Sequence, residues 1–191
     1  GFLPVADLND RYGAFGTVGA NFGVKSKQNF YWGVRATLIN GADVQIEGHL
    51  SNLLTENGEI IDNEGDVARI KVNGSGGIFG VQIGKVFSLN QTNPNSGILL
   101  RGGLGSIHHK IRYDFTENRI TQLEDPYLQG YDRLTWGFYS SLFIGYWNMD
   151  EKQRINYYVG LFGFGGQTFP QRTTNFDTNI PDVDPRFDAG I

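Results

Sequence analysis

Cysteine is absent from the 191-residue chain, which removes any disulfide framework and any thiolate metal site, structural zinc included. A run of about 18 apolar residues is also missing, so no transmembrane helix is expected. That absence says nothing about a membrane β-barrel, whose alternating strands average out in a hydropathy window. Positive charge is not in excess: a net charge of −4 with pI ≈ 5.3 argues against nucleic acid as a partner, because phosphate binding needs a basic surface. No signal peptide is visible, and the opening "GFLPVADLND" reads as a mature or truncated start. Nor does any segment carry a helical period of useful length.

What the chain has in quantity is glycine, 27 residues, and aromatics, 14%. Together with a mean hydropathy of −0.31, this composition suits a β-protein rich in turns. Period-2 runs recur. Tyr12 to Val24 sets Tyr12, Ala14, Val18, Ala20, Phe22 and Val24 against Gly13, Thr17 and Asn21. Phe30 to Leu38 sets Phe30, Trp32, Val34, Ala36 and Leu38 against Tyr31, Gly33, Arg35 and Thr37. Further runs cover 76–87, 97–113, 132–148 and 154–169. The stretch "LTWGFYSSLFIGY" (134–146) is the clearest. Its even face, Trp136, Phe138, Leu142, Ile144 and Tyr146, is apolar with rings towards both ends; its odd face is small and hydroxylated. Such a strand suits lipid on one side and a packed interior on the other. In the last run Phe162 and Phe164 fall on the face opposite Tyr157, Val159 and Leu161, which leaves two readings open, lumen-filling aromatics or a bulge.

The connections alternate. "KSKQN", the segment near 89–96 and "NMDEKQ" are short and polar, whereas 41–75, 114–131 and 170–185 are long. Outer-membrane barrels have short turns at the periplasmic end and long loops outside. A run of about 15 residues rising 3.3 Å each and tilted by about 40° climbs about 38 Å, enough to cross a hydrocarbon core. Six complete strands are legible, and the smallest usual membrane barrel has eight. If the short turns are periplasmic, another strand climbs before residue 12, and "RFDAGI" opens a descending one. The expected fold is therefore all-β: a single-domain (1–191), antiparallel, up-and-down transmembrane β-barrel of about eight strands, with its terminal strands partly missing from this chain. Its lumen is filled by side chains.

From about Tyr12 to Phe187 the chain resembles a family of uncharacterised outer-membrane β-barrel proteins of Bacteroidota. The matching stretches are "DLNDRYG" (7–13), "NPNSGILLRGGLGSIHHKI" (93–111), "YLQGYDRLTWG" (127–137), "FIGYW" (143–147), "RINYYVG" (154–160), "NFDT" (175–178) and "RFD" (186–188). Where such proteins often carry two adjacent arginines before "NFD", this chain has Gln171 and Arg172. The resemblance implies a location, the bacterial outer membrane, and a fold, but no established activity. It also implies a context, the multi-protein outer-membrane assemblies of that phylum such as the barrel-assembly machine or the type IX secretion apparatus.

Four sets of residues invite a chemical reading. In "GYDR" (130–133), Arg133 shares the interior face with Thr135, Tyr139 and Ser141. With Arg35, Arg101, Tyr139 and an acidic partner it forms an expected lumen network, since a buried arginine must be paired. "SIHHK" (106–110) puts Ser106, His108 and Lys110 on one face and His109 on the other. A lipid A hydrolase of the Ser-His-acid type needs a base within reach of the nucleophile and an orienting acid, and no acid is nominated by sequence. The loop carrying Asp177, Asp182, Asp184 and Asp188 lacks the EF-hand spacing and reads as a solvated acidic loop. Loop 41–75 is the most promising functional surface. Its Leu50, Leu53, Leu54, Ile60 and Ile61 suit either a protein partner or a lid folded over the barrel mouth.

The functional expectation is a non-enzymatic accessory or scaffold subunit of a larger outer-membrane complex. It has no catalytic residues, cofactor or metal, its partners are outer-membrane lipids and other outer-membrane proteins, and Trp32 and the even face of 134–146 touch lipid. The alternatives are an outer-membrane lipid A hydrolase and a soluble lipocalin-like binder with its apolar faces inside.

Overall fold

The computed structural model describes residues 3–13, 15–41, 44–89, 93–115, 119–149 and 156–191. Six long strands follow the period-2 runs: β2 (Phe15–Lys25), β3 (Phe30–Gly41), β4 (Lys71–Ser88), β5 (Gly97–Asp114), β6 (Thr135–Met149) and β7 (Asn156–Pro170). Two short ones, β1 (Pro4–Ala6) and β8 (Arg186–Gly190), bring the number to eight. One helix, α1 (Asp7–Tyr12), lies between β1 and β2. No helix among the described residues is long and apolar enough to cross a membrane.

All eight strands form one antiparallel sheet in the order β1-β8-β7-β6-β5-β4-β3-β2. This is up-and-down order with β1 placed beyond β8, pointing from the short turns towards the long loops. The sheet is barrel-like but not closed: the order ends at β1 on one side and β2 on the other. Side chains nevertheless meet across its concave face. The Arg35 guanidinium of β3 lies 3.8 Å from the ring centre of Phe162 on β7, and Asn21 Nδ2 of β2 donates to Tyr158 Oη of β7 at 3.1 Å.

Alternation decides the two faces. The convex face carries Val18, Phe22, Trp32, Leu38, Phe79, Val81, Ile83, Leu104, Phe138, Leu142, Ile144, Val159 and Leu161, all exposed. The concave face holds the core. In one cluster Tyr12, Phe15, Ile39, Ile78, Ile107, Ile111, Tyr139 and Phe164 pack together; in a second, Tyr31, Val86, Leu99 and Phe143 do. The β6–β7 register runs without interruption through Phe143↔Phe162, Leu142↔Gly163 and Ser141↔Phe164. Phe162 and Phe164 are therefore lumen-filling rings, and there is no bulge.

Two local features correct or narrow the sequence reading. The run expected as a strand from Tyr12 begins as a strand only at Phe15, because Tyr12 is the last residue of α1. Six residues make less than two turns, too few for a period to show, yet Leu8 and Tyr12, four apart and on one face, are both buried in the core. The other feature is the long connections, read from sequence as either a partner surface or a lid for 41–75; their described residues are packed as a lid is. Leu50, Ile60, Ile120, Leu123 and Tyr131 belong to the main core cluster, with Val44, Ile46, Leu53 and Ile70 packed against it. Loops 44–70 and 119–134 therefore form a packed cap over one end of the sheet. Of the turns, 90–92 and Asp150–Gln153 of "NMDEKQ" lie outside the described residues.

At the opposite end the short turns are tied together. Asn29 sits at φ 66, a left-handed conformation that asparagine tolerates. Lys25 Nζ donates to Asn29 Oδ1 at 2.7 Å and to Asn95 Oδ1 at 3.0 Å. Within "NPNSG", Asn93 Nδ2 donates to the Met149 carbonyl at 3.0 Å, while Ser96 Oγ accepts from Met149 N–H at 2.9 Å. That motif is a clasp between the second turn and the end of β6.

Candidate functional site

Five motif stretches, "DLNDRYG", "SIHHK", "GYDR", "NFDT" and "RFD", converge at the capped end, which makes it the candidate site, while "FIGYW" and the described part of "RINYYVG" lie towards the short turns. From "DLNDRYG" comes Tyr12, from "SIHHK" His109 and from "RFD" Asp188. Asp188 Oδ2 lies 2.9 Å from His109 Nε2, and Tyr12 Oη lies 3.0 Å from His109 Nδ1. A carboxylate accepts, so His109 donates from Nε2 to Asp188, and in the neutral imidazole Nδ1 is then the acceptor for the Tyr12 hydroxyl. Thr168 Oγ1 donates to the same Asp188 oxygen at 2.6 Å. Beside this relay Arg11 Nη1 donates to Thr135 Oγ1 at 3.0 Å, and Arg11 Nη2 lies 3.6 Å from Asp182 Oδ2. Asp182 is held in turn by Arg186 at 2.7 Å.

Chemically, the relay is an acid, an imidazole and a hydroxyl in line. Its surroundings make it a latch. Tyr12, His109 and Asp188 are 2%, 1% and 0% exposed, so no reacting atom of a substrate reaches them. Burial pushes the Tyr12 hydroxyl up to about 12 with Arg11 opposing, away from the range a nucleophile needs. The relay pins α1 and β8 to β5 and β7, elements far apart in sequence.

A second network ties the cap. Asp132 accepts two bonds from Arg172, 2.9 Å from Nε and 2.8 Å from Nη2, a bidentate pair that raises the Arg172 guanidinium above its usual value. Arg133, at φ 45, turns aside from the strand, and its Nη2 lies 2.7 Å from Asp177 Oδ2. His49 Nδ1 stands 3.5 Å from the same oxygen, and His49 Nε2 lies 2.8 Å from Tyr113 Oη. The Tyr113 hydroxyl donates to the Tyr131 carbonyl at 2.9 Å, so the Tyr113 oxygen accepts from His49. Burial lowers the His49 pKa, Asp177 raises it and Arg133 lowers it again. Asn52 Nδ2 completes the knot with bonds to Tyr131 Oη and the Phe176 carbonyl. "GYDR", "QR" and "NFDT" thus meet as one clamp across three loops.

The expected lumen residues are split between the two ends. Arg133 belongs to the cap, while Arg35, Arg101 and Tyr139 face the concave side of the sheet. Arg101 is 2% exposed and sits among the rings of Phe143, Tyr158 and Tyr31, 4.7, 5.1 and 5.4 Å from their centres. Its Nε and Nη1 have no hydrogen-bond partner among the described residues. Arg35 Nε donates to Thr37 Oγ1 at 3.1 Å. Trp32, Trp136, Phe138, Leu142, Ile144 and Tyr146 are all exposed on the convex face.

Ser106 and His108 also lie outward, as their spacing indicates, and no hydrogen bond joins them among the described residues. The 177–188 segment is not the solvated acidic loop expected from sequence: Asp177 is covered and goes to Arg133, Asp182 to Arg11 and Arg186, and Asp188 to His109, leaving Asp184 exposed, and no group of metal-ligating side chains gathers among the described residues. Of the expected partner loop, Leu50 and Ile60 are buried and Leu53 packs on the core, leaving Leu54 and Ile61 exposed at 44% and 40%. Missed from sequence were Tyr12, Thr168 and Asn52. A hydroxyl or amide on an alternating strand or loop gives no signal until its partner, over a hundred residues away for Asn52 and Phe176, is known. No protein-family model, no curated protein and no solved structure matches the chain.

Proposed function

We propose that the protein is a bacterial outer-membrane β-barrel that acts as a non-enzymatic accessory subunit of a larger outer-membrane complex. The observation that carries this reading is the convex face: each long strand exposes large apolar residues there, although the concave face already buries a core of its own, Ile78, Ile107, Leu99 and Phe143 among arginines, tyrosines and glycines. Soluble monomers rarely expose apolar patches beyond a few hundred Å², and a lipocalin-like binder would place these residues inside. The vertical scale agrees. Tyr146 and Trp136 stand ten residues apart on β6. At 3.3 Å per residue and a tilt of about 40° they are about 25 Å apart in height, the span between aromatic girdles on membrane barrels.

The subunit part of the reading rests on the cap. Its described residues are joined by paired ions and packed rings, and it presents Leu54, Ile61 and Val67 outward on two small antiparallel bridges, Leu54↔Ile60 and Ile61↔Val67. Exposed apolar groups on an otherwise polar, ordered surface suit a protein partner. The resemblance to uncharacterised Bacteroidota barrels favours the barrel-assembly or type IX secretion setting. The test is gentle detergent extraction of the tagged protein, size-exclusion chromatography and mass spectrometry of what co-elutes. Co-elution with other outer-membrane proteins, lost in a Leu54→Ser/Ile61→Ser variant that still folds, supports the reading. Elution as a lone detergent-bound barrel removes the subunit role.

A further inference from the structure

On the convex face of β4, β5 and β6 three hollows of about 340, 430 and 520 Å³ follow one another. The first shares Ile83 and Gly102 with the second, and the second shares Val81 and Leu104 with the third. They follow one line, walled by Ile83 and Val81 on β4 and Leu142 and Phe138 on β6, with the exposed Leu104 of β5 rising between the second and the third; together they are called the furrow. Its floor is open at Gly102, where an added Cβ would meet nothing nearer than the Ser141 carbonyl at 4.0 Å. At the short-turn end the furrow closes on Lys85. That ammonium lies 4.8 Å from the ring centre of Phe30 and 5.9 Å from that of Phe87, and makes no hydrogen bond or ion pair among the described residues.

We infer that this furrow is a seat for an anionic glycerophospholipid, with the phosphate at Lys85 and one acyl chain along β5. The inference rests on the membrane reading above. Charge and length select the occupant. A lysine near the level of an aromatic girdle keeps its stem on apolar wall and its ammonium at the headgroups, where a negative phosphate complements it. From Lys85 to Phe79 is six residues, a climb of about 15 Å at a tilt of about 40°, somewhat more than half of the apolar band about 25 Å tall. The furrow is therefore long enough for an acyl chain that starts at Lys85.

The test uses the full chain in mixed micelles containing equal phosphatidylglycerol and phosphatidylcholine, with retained lipid counted by native mass spectrometry. Phosphatidylglycerol is expected to be retained about fivefold over phosphatidylcholine, the ratio that about 1 kcal/mol for one basic side chain at an anionic surface gives. Lys85→Gln brings the ratio to parity, whereas Lys27→Gln in the exposed first turn leaves it unchanged. Gly102→Leu fills the furrow and lowers retention of both lipids while the barrel stays folded. Equal retention by the wild type, an unchanged ratio in Lys85→Gln, or full retention in Gly102→Leu each overturns the seat. If the protein needs detergent yet retains both lipids alike, the seat alone is wrong. If it stays monodisperse without detergent and retains neither, the membrane reading falls with it.

Discussion

The two ends of the concave face solve the same problem differently. At the capped end arginines face carboxylates: the buried Arg133 meets Asp177, and the buried Arg11 and half-buried Arg186 meet Asp182. At the short-turn end Arg101 is just as buried but is surrounded by three aromatic rings. Ring faces attract a cation without directing its N–H groups, whereas a carboxylate fixes geometry. The capped end is thus specified by directional bonds between segments distant in sequence. The other end is filled by shape, with glycine making room: a Cβ on Gly23 would fall within 2.5 Å of the Tyr31 ring.

That contrast can be broken by substitution. The largest effect is expected at Asp188, which is fully buried and accepts from both His109 and Thr168. Asp188→Ala strands both donors and frees β8 from β5, and should lower stability by about 3–5 kcal/mol, read as the urea midpoint of the folded protein. Next comes a matched pair. Arg133→Met leaves Asp177 buried without its guanidinium and should lose about 3 kcal/mol. Arg101→Met removes a guanidinium whose Nε and Nη1 are unsatisfied and abandons no carboxylate among the described residues, so its stability should stay within about 1 kcal/mol of wild type. Equal losses in the two variants would erase the distinction between the ends.

The smallest effect sharpens the comparison through pH. His49 has its pKa lowered below the ordinary 6.5 by burial, so the folded cap holds it neutral while the unfolded chain takes up a proton. The unfolded state then binds more protons as pH falls from 6.5 towards the lowered folded value, and stability falls with it. The stabilising contribution is complete above pH 6.5. His49→Gln should flatten that part of the stability-versus-pH curve, and a slope equal to wild type would remove His49 from the cap's acid response.

Much of the wall was legible because alternation is a local property. Trp32 or Ile144 can be assigned a face from its immediate neighbours, and the short-long rhythm of connections implies up-and-down order. The cap was legible only as length. From sequence, Leu50 and Ile60 suit either a partner surface or a lid over the mouth; they are buried, as in a lid, because whether a loop leucine is covered depends on Ile120, Leu123 and Tyr131 arriving from another loop. Arg133 illustrates the same limit. Alternation puts it with Arg35 and Arg101, but its positive φ swings it to Asp177, a residue 44 positions away.

The sequence by itself determined the strands, their faces and the residues available for pairing, because periodicity and turn chemistry act over a few residues. Only the tertiary structure decided that the relay Tyr12–His109–Asp188 is a sealed latch, that Arg101 rests on rings, and that three loops close into one cap. Those outcomes depend on register and on which distant groups exclude water together, and neither is encoded in any single stretch of chain.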